Sequence, residues 1–168
     1  NPGPDSPGEL IETLADAEDN EVIGADSRVM LEGVIRMADL TAGDVMVAAP
    51  RIDFLDINLS YDELLRQVIN TAHSRFPVYE GERNNIIGVL LVKDLLKLQR
   101  SPSLNLRSLL RAPVFVPESK PLNDLLRVFR SNRNHLAIVI DEFGSTAGLV
   151  TIEDVLEEIG RYATFIKN

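Results

Sequence analysis

The sequence predicts an α/β fold in which two β-α-β-β-α repeats pack sheet to sheet behind an N-terminal helical extension. Three observations predict it. First, two amphipathic stretches, 60–72 and 121–132, carry matching apolar stripes (Tyr61, Leu64, Leu65, Val68, Ile69 and Leu122, Leu125, Leu126, Phe129) at helical spacing. Second, each is followed by the same order of elements: a short strand (75–79, 135–141), a polar turn (80–85, 142–146) and a glycine-bearing strand (86–91, 147–151). A last helix then starts near Val92 and near Ile152. Third, the equivalences keep a constant offset. Gly88 and Gly148 lie 60 residues apart, as do Asp94 and Asp154, while Leu64 and Leu125 lie 61 apart. The one-residue difference places a gain or loss between helix and strand.

The elements come in order. Residues 1–8 (NPGPDSPG) read as disordered or as a remnant of expression, being rich in Pro and Gly. Residues 9–18 suit a short acidic helix. Asp26 or Ser27 can cap a second helix with Val29, Met30, Val34, Met37 and Leu40 along one side. A helix this short is marginal alone and is expected to pack on the segment after it. The leading strands of the repeats are 52–56 and 114–116, and 99–105 (QRSPSLN) has the Pro and Ser of a linker. The expected division is 1–40 for the lead-in, 41–100 and 101–161 for the repeats, and 162–168 for a tail. A repeat of this size buries little surface by itself, so the two copies should share a core.

Composition narrows the function. The net charge is −9 over 168 residues, yet eight acids and no Lys or Arg stand in residues 1–26, so the body is close to neutral. Nucleic acid is therefore not an expected partner, because phosphate-backbone binding needs an excess of cations. With no cysteine, disulfides and thiolate metal sites are excluded. No run of about 18 apolar residues suggests a membrane span, and no secretory leader is visible, so a cytoplasmic setting is expected.

The sharpest motif is Gly148-Leu149-Val150-Thr151-Ile152-Glu153-Asp154, running off a strand into a helix. Thr151 at the helix start can offer its hydroxyl to free backbone amides or to a phosphate. Asp154, one turn in, can accept hydrogen bonds from the paired hydroxyls of a ribose. Thr-x-x-Asp is also a helix-capping arrangement that requires no ligand, and the motif alone leaves both readings open.

The repeat ending in this motif resembles a CBS-domain pair, or Bateman module. The resemblance extends to the CorC-type magnesium and cobalt efflux family through Asp44-Val45-Met46, Pro50-Arg51, His73-Ser74-Arg75-Phe76-Pro77-Val78, Val116-Pro117-Glu118-Ser119-Lys120 and Ala137-Ile138-Val139-Ile140-Asp141-Glu142-Phe143-Gly144. The lead-in Arg28-Val29-Met30-Leu31-Glu32-Gly33-Val34 is also similar, so the likeness covers roughly residues 10–160.

The resemblance implies a non-enzymatic regulatory module that binds an adenine nucleotide, ATP or AMP, between the repeats, with Mg²⁺ bridging the phosphates. It assigns phosphate and ribose to Thr151 and Asp154, makes Arg75 the phosphate cation, and sets Phe76, Pro77, Met46 and Val47 beside the base. It further implies a homodimer formed through the helices, and a membrane transport component whose cytoplasmic face the module serves. An alternative is a dimerisation scaffold with an empty cleft. In the first repeat Leu91 stands where the second has Thr151, so the site at Asp94 should be weak or empty. Met46 and Pro50 are separated by Val47-Ala48-Ala49, longer than the family's usual join, which leaves the positions of Val47 and Arg51 open.

Weaker signals carry less. Arg127, Arg130 and Arg133 read as a solvated face. His73 and His135 lack metal-ligand spacing, and no metal site is expected. Neither a P-loop nor a catalytic triad is present in the sequence.

Overall fold

Helix starts are dictated locally, and the first stands earlier than expected. In the computed structural model, which describes residues 6–101, 105–131 and 135–167 (without the side chains of Met30 and 162–167), Ser6 accepts the Glu9 amide at 3.2 Å. With Pro7 pre-set for helical φ, α1 spans Pro7–Asp19. Residues 6–8 are thus an ordered cap and first turn; the rest of the stretch read as disordered lies outside the described residues. The second helix, α2 (Ala25–Ala38), is preceded by Gly24. Neither Asp26 nor Ser27 caps it, because both already lie inside; Asp26 instead complements the positive helix end. Arg28 ties the two helices together, pairing with Glu18 of α1 and with Glu32 one turn on.

A short helix α3 (Ala42–Val45) and strand β1 (Val47–Ala48) come next, then a 3₁₀ turn (Ala49–Arg51). The first repeat continues with β2 (Leu55–Asp56), α4 (Tyr61–Ile69), β3 (Arg75–Tyr79), β4 (Ile86–Leu91) and α5 (Val92–Arg100). Ser60 and Glu63 form a reciprocal capping box at the start of α4. The second repeat comprises α6 (Leu106–Leu109), β5 (Phe115–Pro117), α7 (Leu122–Ser131), β6 (Leu136–Ile140), β7 (Thr146–Thr151) and α8 (Ile152–Lys167). The last helix runs on through most of the segment read as a tail. The first leading strand is shorter than the expected 52–56, the second keeps three residues but starts one later than expected, and Asn105, at the end of the expected linker, caps the helical turn α6.

In each repeat the leading strand pairs parallel with the next, which forms an antiparallel hairpin with the third. The ladders relocate the one-residue difference. Arg75 faces Leu91 and Leu136 faces Thr151, so the first hairpin strands keep the helices' offset of 61 residues. The offset falls to 60 only across the hairpin turn, which has six residues between Tyr79 and Ile86 but five between Ile140 and Thr146. The one-residue difference therefore lies in the turn and not between helix and strand.

The repeats also exchange edges. β1 pairs antiparallel with β7 of the other repeat, giving the sheet order β1-β7-β6-β5 beside the three-stranded β2-β3-β4. Reciprocally, Arg111 bridges to Val89 on β4. Each repeat has its own core, around Leu64, Phe76 and Leu90 in the first and Leu125, Phe129 and Val139 in the second. A third cluster joins the sheets: Ile52, Phe54, Ile86 and Val89 from one, Leu136 and Ile138 from the other. Fully burying each such side chain contributes about 1.5–3 kcal/mol, which neither repeat obtains alone. Helix α2 packs on α8 and α7, so the lead-in covers the second repeat, not the repeat adjacent to it in sequence. Among the described residues no helix is long and apolar enough to cross a membrane.

Candidate functional site

The edge exchange opens a cleft of about 340 Å³ between the repeats. Three segments line it: the β1-to-turn stretch with Val47, Arg51, Ile52 and Asp53, the approach to β3 with His73 to Pro77, and the β7–α8 junction with Leu149, Thr151, Glu153 and Asp154. Of the seven residues singled out for the main site, six meet there: Val47, Arg75, Phe76, Pro77, Thr151 and Asp154. Val47 is fixed by its pairing with Leu149, which settles the position left open by the long join, and Arg51 reaches the same cleft.

Met46 is the exception. Its sulfur lies 2.8 Å from where a Cβ on Gly148 would stand, and it packs into the second-repeat core. Met46 closes α3 just before β1 begins, and its side chain goes with that helix into the second-repeat core while Val47 lines the cleft. Phe76 lines the cleft but is only 1% exposed, because its ring belongs to the first-repeat core.

Thr151 and Asp154 adopt the capping geometry. The Thr151 amide donates to Asp154 Oδ2 at 2.9 Å and the Asp154 amide donates to Thr151 Oγ1 at 3.2 Å. The box leaves Asp154 Oδ1 outside it, so capping and an incoming hydroxyl are compatible.

Arg75 crosses between repeats, donating from Nη1 to Glu153 Oε1 at 3.1 Å, while its Nε is buried with no hydrogen-bond partner. Glu153 was not singled out in the sequence, although its place between Thr151 and Asp154 was the available signal. Burial pushes its carboxyl up, but its own backbone, Arg75 and the Thr151 hydroxyl outweigh that and hold it below the usual value. His73, which the sequence marks only by its lack of metal-ligand spacing, also lies at the cleft, with its ring edge-on to Phe76 at 6.1 Å. The cleft thus offers a cation beside a hydroxyl, a carboxylate with a free oxygen, and apolar walls from Val47, Ile52 and Leu149.

The equivalent position in the first repeat differs. Asp94 is 2% exposed, with Lys97 Nζ at 3.0 Å and Arg111 Nη2 at 3.3 Å. Leu91, at the cap position before α5, gives the helix no side-chain cap. Burial raises the Asp94 carboxyl, but Lys97 and Arg111 together prevail and hold it below its ordinary value. Elsewhere, Arg127 pairs with Asp124 at 3.3 Å on an exposed helix face; Arg133 lies outside the described residues. Among the described residues no group of three or more His, Asp or Glu is placed to hold a metal ion.

Comparison with known proteins is consistent with this geometry. The CBS domain model matches residues 42–101 and 106–161, and a model described as the N-terminal region of NMB0537 matches residues 2–37. The magnesium and cobalt efflux protein CorC of Pasteurella multocida is 48% identical over 153 residues, covering 90% of this chain and 51% of that protein. The chain therefore spans about half the length of the curated relatives it matches. A domain of unknown function from Neisseria meningitidis MC58 is 45% identical, covering 89% of this chain and 97% of that one, with a TM-score of 0.73. The CBS domain of a bacterial CNNM/CorC family Mg²⁺ transporter, solved in complex with ATP, is 34% identical, covering 80% of this chain and 96% of that one, with a TM-score of 0.72. Two exchanged β-α-β-β-α repeats, matched along both halves, make this chain a member of the CBS-domain family, a tandem pair of the CorC type.

Proposed function

We propose that the cleft between the repeats binds an adenine nucleotide, ATP or AMP, and that the chain is the regulatory module of a magnesium and cobalt transport protein. The observation that carries the reading is the convergence of Arg75, Thr151 and Asp154 in one cleft with apolar walls. A site of roughly 300–1,000 Å³ suits a small organic ligand, so the cleft matches one mononucleotide with its tail towards solvent. Arg75 and the Thr151 hydroxyl take the phosphate, with a bound Mg²⁺ bridging its oxygens when a polyphosphate is present. Asp154 Oδ1 accepts from the ribose, and Val47, Pro77, Ile52 and Leu149 flank the base. The related Mg²⁺-transporter domain solved with ATP supports the ligand class. The module performs no chemistry of its own; it acts by preferring one tilt of the repeats, and a ligand shifts that balance only through its differential affinity for the two tilts. Two chains associate through their helices, and the module works at the cytoplasmic face of the membrane beside the transport part.

A second reading is favoured by the partners these groups already have within the chain. Thr151 and Asp154 cap α8, and Arg75 pairs with Glu153, with no ligand required. On that reading the chain is an assembly scaffold with an empty cleft. Thermal shift with AMP, ADP and ATP, with and without Mg²⁺, separates the two. A nucleotide at about 100 times its Kd stabilises by about 2.7 kcal/mol. For a chain of this length that is a Tm rise of about 5–10 °C. Asp154→Ala is expected to abolish the rise while the protein remains folded. No Tm change with any nucleotide leaves the scaffold reading standing.

A further inference from the structure

The exchange of edges makes the two crevices of the module comparable position by position. Val47 pairs with Leu149 in one sheet, and Arg111 bridges Val89 in the other, with amide-to-carbonyl distances of 3.0 and 2.9 Å in the two directions. Leu149 and Val89 are equivalents 60 residues apart, so Arg111 holds in the first crevice the place that Val47 holds in the second. The glycines confirm the match: a Cβ on Gly148 would meet the Val47 carbonyl, and one on Gly88 would meet Leu110 and the Arg111 carbonyl. On the same alignment Leu136 replaces Arg75 and Leu91 replaces Thr151.

We propose that Arg111 is a built-in occupant of the first crevice, a guanidinium that takes the Asp94 carboxylate where a ribose would sit and so locks that half of the module as a fixed hinge. In the second crevice an apolar Val47 leaves Asp154 open to a ligand. In the first, a cation from the lead segment of the second repeat reaches back to an Asp of the first and leaves it 2% exposed. Arg111 itself remains 39% exposed while its partner carboxylate is almost wholly buried. Lys97 closes the other side at 3.0 Å. With Leu136 in place of Arg75, the first crevice also has no cation for phosphate at that position. A molecule with two near-equivalent crevices thereby has one that responds and one that does not. Ligand-driven tilting is confined to the nucleotide crevice and pivots about the Arg111–Asp94 bridge. The hinge role rests on the nucleotide reading of the second crevice; the bridge does not.

Two measurements on the whole chain test it. Titration calorimetry with ATP and with AMP should give one site per chain. Two sites per chain would overturn the closed crevice, whereas no binding at all would remove the nucleotide reading and leave the bridge to the second measurement. That measurement is a thermal double-mutant cycle on Arg111→Met and Asp94→Asn. Arg111→Met strands a buried carboxylate, and with Lys97 still present its Tm should fall by about 4–8 °C. In the double variant the loss should be smaller than the sum of the single losses by about 3 °C or more. Arg111→Lys, a milder change, should recover about half the loss and covers the case in which Arg111→Met does not fold. Additive losses, or an Arg111→Lys variant no more stable than Arg111→Met, would show that the guanidinium does not hold Asp94.

Discussion

Arg75 stands where two demands meet. Its Nη1 holds Glu153 across the repeats while its Nε is buried and without a partner, so the guanidinium is committed to the cleft without being saturated by it. Glu153 is 61% exposed, and an ion pair so open contributes little to stability. Arg75→Ala should therefore leave Tm nearly unchanged. If Arg75 binds phosphate, the same variant should weaken ATP and AMP by about 10–100-fold, the range for a charged hydrogen bond, while adenosine binding stays as in the wild type. Equal losses for adenosine and AMP, measured by calorimetry, would place Arg75 outside the phosphate contact. Asp94 gives the opposite case, a residue whose charge serves the fold. Its folded-state pKa is lowered, so its contribution is fully present above the ordinary value of 3.8 and is lost as pH falls through the lower folded value. Between about pH 5 and pH 3 the wild type should lose more Tm than Asp94→Asn, and parallel melting curves for the two would contradict that assignment.

At the scale of elements, the site depends on β1 lying against β7. Gly148 permits this contact: a methyl there would stand 2.3 Å from the Val47 carbonyl oxygen, and backbone cannot yield as a side-chain tip can. Gly148→Ala is expected to destabilise by about 1–3 kcal/mol through overpacking and to weaken nucleotide binding by moving Val47. An unchanged Tm with unchanged affinity would mean that the edge strand is dispensable. The exchange could not be read in advance, because a two-residue strand has no periodicity and its partner lies about a hundred residues away. What was legible had a period: α4 and α7 with their stripes, the two hairpins, and the Thr151-to-Asp154 junction. Helices α3 and α6, four residues each, fall below the length at which a stripe can be recognised. Arg111 was invisible for a different reason. Its sequence neighbours Leu110 and Ala112 give no hint of function, and only the ladder to Val89 aligns it with Val47. Met46 and Val47 are neighbours in sequence but part at the junction of α3 and β1, Met46 into the second-repeat core and Val47 to the cleft, and no sequence pattern marks that junction.

For the whole molecule, the sheets meet each other inside and the helices are left outside, and that arrangement determines where a second chain can dock. Leu96 on α5 is 58% exposed and Leu156 on α8 is 55% exposed, at positions 60 residues apart that are equivalent in the two repeats. Ile69 at the end of α4 is 69% exposed. Scattered surface leucines need no explanation, but the same helical position left bare in both repeats fits an interface that treats the repeats alike. A twofold dimer through these helices would cover both leucines and leave the cleft open, since none of Leu96, Leu156 and Ile69 lines it. Light scattering coupled to gel filtration should give twice the chain mass for the wild type and the single mass for Leu96→Glu/Leu156→Glu, with the melting transition preserved in both. If dimerisation couples to the cleft, nucleotide should change the dimer dissociation constant, and the dimer should change nucleotide affinity by the same factor, because coupling between binding steps is reciprocal. A monomeric wild type would refute the helical interface, and a monomeric variant that binds nucleotide as the wild type does would confine the response to the tilt of the repeats within one chain.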